Sequence, residues 1–217
     1  MAVLTPSLRK FALTAHVTSS VGWLGAVASF LVLAIAGLIG DDDQMVRSVY
    51  LATDLTTWFV IIPLAFASLL TGLVVALGTQ WGLFRHYWVL VKFMLTVLAT
   101  TLLLLHTQPI GRLAAVVRET TIGGADMRAL QIQIVGDAGA ALLALLVNVT
   151  LSIYKPGGTT AYGRRKQEEE RQLPAAEISG EPAPVWIKLL AIGVVGLIVA
   201  FVMLHLAGSG LGALHHR

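Results

Sequence analysis

The chain of 217 residues contains no cysteine. A disulfide, a thiolate metal site and a covalently attached c-type haem are therefore excluded within this sequence. Charge is scarce as well: charged residues make up 12% of the chain, against 56% for hydrophobic ones. A soluble globular domain carries about 25% charged residues. The composition therefore indicates a protein that lives in a membrane.

The apolar residues are gathered into five runs, each close to the ~20 residues that a helix needs to cross ~30 Å of hydrocarbon. The runs cover residues 11–39, 55–77, 87–105, 132–154 and 186–206. Continuous Leu, Val and Ala runs are typical of helices and lack the alternation of β-barrel strands. The sequence predicts an all-α integral membrane bundle of about five transmembrane helices.

The loops predict three parts. Residues 1–155 form a four-helix transmembrane unit, residues 156–184 a flexible cytoplasmic linker, and residues 185–217 the fifth transmembrane helix with a short tail. Glycine, proline and opposed charge runs in the second part are typical of disorder. Between the third and fourth spans, Ile110, Leu113 and Val117 recur at helical spacing, which predicts a separate short helix in the membrane interface.

Basic residues predict the orientation, because short cytoplasmic loops are enriched in Lys and Arg. With the N-terminus inside, the cytoplasmic segments hold Arg9, Lys10, Arg85, Lys155, Arg164, Arg165, Lys166, Arg171 and Lys188. The outer segments hold Arg47, Arg112, Arg118, Arg128 and Arg217. We therefore expect a plasma membrane protein with a cytoplasmic N-terminus and an outer C-terminus. Its expected partners are the lipid bilayer, other helices or a second copy, and not nucleic acid, because no soluble face collects the basic residues.

Polar groups inside a membrane are costly, so those within the spans are candidates for function. His16, Lys92 and Asn148 each lie ~9–10 Å inside the cytoplasmic end of a span at ~1.5 Å per residue, which predicts one inner polar layer. Asp137 lies ~10 Å from the outer surface by the same count. Its carboxyl group must be protonated, paired or in contact with water. Against a function, Lys92 could snorkel to the headgroups and His16 could serve packing.

Histidines and carboxylates also raise the alternative of a cofactor. His106, Asp137 and His205 are candidate ligands for a transition metal near the outer face. His16 and His86 are the nearest pair of histidines for an axially ligated haem on the inner side. Sequence spacing does not show whether residues on different helices converge, so haem and a transition metal both stay open here.

Four segments together carry a resemblance. They are HVTSSVGWLG at residues 16–25, WGLFRHYWVLVK at 81–92, LHTQPI at 105–110 and YKPG at 154–157. In these the chain resembles a family of uncharacterised bacterial multi-pass membrane proteins that has only a domain-of-unknown-function label. The resemblance implies a helical membrane bundle. It supplies no reaction, substrate or catalytic residue.

The sequence contains no motif that identifies a reaction, which favours a protein that is not an enzyme. The main interpretation is a binding or transport-type bundle whose polar interior is built from the first, third and fourth spans. One alternative is a membrane redox protein that holds haem or a metal. A further alternative is a structural partner or assembly subunit, in which the polar residues only specify helix packing.

Overall fold

A computed structural model of the chain describes residues 4–78, 82–119, 125–155 and 157–172. The regular secondary-structure elements in these ranges are all helices, which confirms the all-α prediction. The α-helices are α1 (Pro6–Ile39), α2 (Asp43–Thr56), α3 (Ile62–Gly78), α4 (Tyr87–Glu119), α5 (Ala125–Tyr154) and α6 (Ala161–Gln172). A π-helical turn, Thr57–Ile61, joins α2 to α3 without a break.

Four of these segments are long and apolar enough to cross a membrane: Pro6–Ile39, Asp43–Gly78, Tyr87–Ala115 and Met127–Tyr154. Large apolar side chains on them are widely exposed, among them Val32 on α1, Leu105 on α4 and Leu143 on α5. Such surfaces suit contact with lipid and not with water. The chain is therefore a helical membrane protein. The predicted fifth span at 186–206 lies outside the described residues.

The second span begins earlier than its hydropathy predicts, at Asp43 instead of residue 55. The Asp42 carboxylate accepts a hydrogen bond from the Met45 N–H at 2.8 Å and so caps the helix. In the next turns Val46 and Tyr50 are buried, while the polar residues between them face outward. This segment is an amphipathic helix. Its hydropathy, averaged over all its residues, does not distinguish it from a loop.

The third span continues further than predicted, through Pro109 to Glu119. Residues 110–117, predicted as a separate interfacial helix, are instead the last turns of α4. Ile110 and Leu113 are buried in the protein core. Their packing stabilises the helix at Pro109, where the backbone N–H that would donate to the preceding turn is missing.

Contacts divide the chain into two compact units. The first unit consists of the described parts of Met1–Ser19, Phe66–Leu95 and Leu151–Arg217. The second consists of the described parts of Ser20–Ala65 and Thr96–Thr150.

The second unit has the larger apolar core, which includes Trp23 and Phe30 of α1, Tyr50 of α2, and Leu113 of α4. Near its end, α1 is held by α5. The Arg128 guanidinium donates to the Leu38 carbonyl at 3.2 Å, and the Gln131 amide donates to the Gly37 carbonyl at 3.4 Å. These bonds satisfy carbonyls in the last turn of α1, which lack partners within the helix.

In the first unit, hydrogen bonds connect the ends of helices to one another and to a loop. The Leu4 N–H donates to the Gly78 carbonyl at 3.2 Å, which ties the start of α1 to the end of α3. Thr160 caps α6, because its hydroxyl accepts from the Gly163 N–H at 3.0 Å. The same hydroxyl donates to the Phe84 carbonyl in the loop before α4. The sequence predicted a linker where α6 lies, and the remainder of that predicted linker, residues 173–184, is outside the described residues.

Candidate functional site

His16 lies in the first unit, on α1, with its ring against α3. Nδ1 is 3.1 Å from the Ser68 carbonyl oxygen and 3.3 Å from the Thr71 hydroxyl. A carbonyl only accepts, and Thr71 directs its own hydrogen to the Ala67 carbonyl. Nδ1 must therefore carry the hydrogen of this bond. In the neutral ring, Nε2 is then the nitrogen with a lone pair.

Lys92 lies in the same unit, on the second turn of α4. Its ammonium donates a hydrogen bond to the Ser152 hydroxyl on α5. The amine is also 6.0 Å from the centre of the Trp88 ring, at the limit of a cation–π contact. The side chain of Lys92 therefore contacts protein residues of the first unit, in addition to any contact that it makes with lipid headgroups.

Asn148 lies in the second unit, on α5. Its amide nitrogen donates to the Thr96 hydroxyl on α4 at 2.7 Å. One turn further along α4, the buried Thr100 donates to the Thr96 carbonyl at 2.8 Å. The structure therefore places His16 and Lys92 in one unit and Asn148 in the other. That the three residues form a single inner layer stays a prediction.

The second unit also brings together two of the three residues predicted as metal ligands near the outer face, His106 on α4 and Asp137 on α5. Nε2 of His106 is 3.0 Å from Oδ2 of Asp137. The other ring nitrogen, Nδ1, is 2.7 Å from the Leu102 carbonyl oxygen, one turn earlier on α4. Side-chain exposure is 29% for His106 and 36% for Asp137, although the Oδ2 atom itself is buried.

The surroundings of His106 show where a proton can bind to the pair. Nδ1 faces a carbonyl, which only accepts, so Nδ1 carries a hydrogen. Nε2 and Oδ2 lie within hydrogen-bonding distance, so these two atoms can share one further proton. This proton is either on the ring, which gives an imidazolium and a carboxylate, or on Asp137, which gives a neutral acid that donates to a neutral ring. In either form the proton between the two side chains is exchangeable.

Only part of each predicted cofactor site can be located. His106 and Asp137 meet, whereas His205 lies outside the described residues. Within the described ranges, no three His, Asp or Glu side chains gather into a metal site. His86 lies in the loop before α4, where its backbone pairs with Thr159 and its ring centre is 6.4 Å from that of Trp88. A haem between His16 and His86 stays a prediction.

Sequence reasoning missed the neutral partners of these groups. Ser68 and Thr71 lie three residues apart on α3, and Ser152 follows Asn148 by one turn on α5. That spacing puts each pair on one helix face, which was the available signal. Protein-family models, curated proteins and solved structures gave no match to the chain.

Proposed function

We propose that the protein is a transport-type helical bundle of the plasma membrane in which His106 and Asp137 bind a proton that the protein takes up and releases. The observation that carries the proposal is the contact of 3.0 Å between Nε2 and Oδ2, with Nδ1 held by the Leu102 carbonyl. The proposed orientation has the N-terminus in the cytoplasm and is supported by the distribution of basic residues in the sequence.

The surroundings of the pair favour this role. Ile134 and Ala138, the neighbours of Asp137 on α5, are buried in an apolar core. Beside such a core a charge without a partner is costly, whereas a proton shared between the two side chains keeps the pair neutral overall. Loss of the proton would leave a carboxylate that faces a lone pair. The partial exposure of both side chains gives another proton acceptor access to the pair.

Proton flux into vesicles tests the proposal. The purified protein is reconstituted into liposomes that contain a pH-sensitive dye, and a potassium diffusion potential drives proton entry. We expect flux with the unchanged protein and its loss in Asp137→Asn and His106→Gln, because each removes one of the two groups that share the proton. Asp41→Asn is the matched control, since it removes an exposed carboxylate in the loop after α1.

Two outcomes would count against proton transport. One is flux in Asp137→Asn at the level of the unchanged protein. The other is equal loss in Asp41→Asn, which would indicate a general effect of charge. Thermal unfolding in detergent accompanies each assay, so that loss of flux in a folded variant is separated from loss of the fold.

A second candidate function is supported by the tautomer of His16. A metal-bound histidine commonly donates its other ring N–H to a backbone carbonyl, as His16 Nδ1 does toward Ser68. Nε2 of His16 would then be the atom that holds haem or a metal, and such a cofactor would supply electron transfer. An absorbance spectrum with metal analysis of the purified protein tests this. A Soret band or bound metal that is lost in His16→Ala would favour the redox function over proton transport.

A further inference from the structure

The first unit carries a strongly basic surface that neither proposed function uses. Among its described residues, acidic side chains are confined to positions 168–170. The exposed basic residues of the unit are Arg9, Lys10, Lys155, Arg164, Arg165 and Arg171. Net positive charge of this kind attracts anions.

Hydrogen bonds of the first unit join the basic segment at the start of α6 to the loop that contains Arg85. The Tyr87 N–H donates to the Gly158 carbonyl at 3.4 Å, and the Thr160 N–H donates to the Arg85 carbonyl at 3.0 Å. Residues 157–163 thus lie along the loop at 82–86, from which α4 starts. One candidate membrane span begins here, at the start of α4, and another ends here, at the end of α5. This end of the unit therefore lies at the level of the lipid headgroups.

Exposed aromatic side chains surround the same segment. Tyr87 is the first residue of α4 and Tyr154 the last of α5, and they are 55% and 79% exposed. Phe84 in the loop is 57% exposed, and Tyr162 in the first turn of α6 is 50% exposed. Aromatic rings at the ends of spans sit at headgroup level, with the ring against the acyl chains and the polar edge in water.

We propose that the first turn of α6 and the loop at 82–86 bind the headgroup of an anionic phospholipid. Arg164 and Arg165 are the donors to its phosphate, because a guanidinium matches phosphate geometry and both side chains are exposed. The exposed aromatic rings favour a lipid over a free phosphate ion, since they need acyl chains beside the headgroup.

The backbone of this segment is fixed before any lipid binds. The Thr160 hydroxyl joins the Gly163 N–H to the Phe84 carbonyl. A methyl group on Gly163 would collide with the Arg85 carbonyl, so glycine allows α6 to approach the loop this closely. The two arginines are thereby held beside the loop, and binding does not have to order the helix first.

The test is the choice between lipids. The full chain is incorporated into nanodiscs of phosphatidylcholine with and without phosphatidylglycerol, and the lipids that stay bound after mild release are counted by mass spectrometry. A basic residue at a membrane surface contributes about 1 kcal/mol toward anionic lipid. Arg164→Gln/Arg165→Gln should therefore lower the preference for phosphatidylglycerol by roughly 30-fold. Arg47→Gln/Arg112→Gln removes the same charge from the second unit and should leave most of the preference for phosphatidylglycerol.

Each remaining outcome decides the proposal. An equal loss in both double variants would overturn it, because the preference would then follow net charge alone. Competition by dissolved inorganic phosphate as effective as that by phosphatidylglycerol vesicles would overturn it in favour of a soluble anion site. If the double variant does not fold, Arg165→Gln and Thr160→Val are measured instead. Unchanged preference in both of them would also contradict the proposal.

Discussion

Gly72 on α3 lies directly against the ring of His16 on α1. A methyl group at position 72 would stand 2.9 Å from Cε1 and 3.3 Å from Nδ1 of that ring. Glycine at this position therefore makes room for the ring that reaches the Ser68 carbonyl.

Gly72→Ala should destabilise the protein by about 1–3 kcal/mol, because the added methyl group displaces a ring that is held by hydrogen bonds. The measurement is thermal unfolding in detergent. Gly136→Ala is the control, since nothing lies within 4 Å of a methyl group there. In the double variant Gly72→Ala/His16→Ala, the alanine at position 72 should lower the free energy of unfolding much less than it does when His16 is present. An equal cost in both backgrounds would contradict the assignment of the clash to His16.

Gly37→Ala should destabilise the second unit by a similar mechanism. A methyl group there would be 2.6 Å from Cζ of Tyr50, whose ring is completely buried and has little room to move. We expect a loss of about 1–3 kcal/mol in the free energy of unfolding. Tyr50→Leu removes the obstructing atoms, so the double variant Gly37→Ala/Tyr50→Leu should show no additional cost of the alanine. A penalty that persists there would point to another contact.

Much of the fold could be predicted from the sequence, because the bilayer demands long apolar runs. The start of α4 at Tyr87 and the end of α5 at Tyr154 both coincide with the predicted limits. The errors lie where a helix is amphipathic. Residues 43–54 were left outside the predicted second span, because only one face of this segment is buried. Residues 110–117 were predicted as a separate helix, because the continuous apolar run ends at residue 105.

The candidate site was less predictable, because it depends on how helices are rotated about their axes. His106 and Asp137 both appeared as candidates, but the sequence did not pair them with each other alone. Their contact requires that the face of α4 with His106 lies against the face of α5 with Asp137. Side-chain packing between the two helices determines this rotation. The capping of α6 by Thr160 was missed for a related reason, since part of its stabilisation comes from the distant Phe84 carbonyl.

Thr160→Val should weaken the attachment of α6, because valine keeps the shape of threonine and removes the hydroxyl that caps the helix. Loss of such a cap costs ~1 kcal/mol. Hydrogen exchange of the backbone amides in 161–172 should accelerate about five-fold for that cost. Thr160→Ser retains the hydroxyl and is the control. Protection of α6 that is unchanged in the valine variant would show that this hydroxyl does not hold the helix.

The ion pair of Lys166 with Glu169 predicts a pH dependence in alkaline solution. The Nζ to Oε2 distance is 2.8 Å, and the hydrogen bond from Lys166 to Glu169 raises the pKa of the lysine above its ordinary 10.5. A raised pKa contributes stability that is complete below the unfolded value and is lost as pH rises through the folded one. NMR titration of labelled lysine should therefore show a lower pKa for Lys166 in Glu169→Gln. Equal pKa values in the two proteins would contradict the pairing.

Topology can be tested without removing native thiols, because the chain contains no cysteine. Asp41→Cys and Gln167→Cys each introduce one thiol at an exposed position. With a cytoplasmic N-terminus, an impermeant maleimide should label position 41 in intact cells and position 167 only after the membrane is opened. The reverse pattern would invert the orientation, and labelling of both positions in intact cells would contradict the span count.

The hydroxyl of Thr160 makes two local equilibria thermodynamically dependent on each other. It bonds at once to the first turn of α6 and to the loop that precedes α4, so unwinding of that turn removes a bond from the loop, and displacement of the loop removes a bond from the helix. A ligand that binds α6 more tightly when its first turn is helical than when it is unwound therefore also stabilises the bonded position of the loop. Thermodynamic reciprocity makes the coupling free energy the same in both directions. A single oxygen atom thus allows an event at the membrane surface to bias the start of a transmembrane helix.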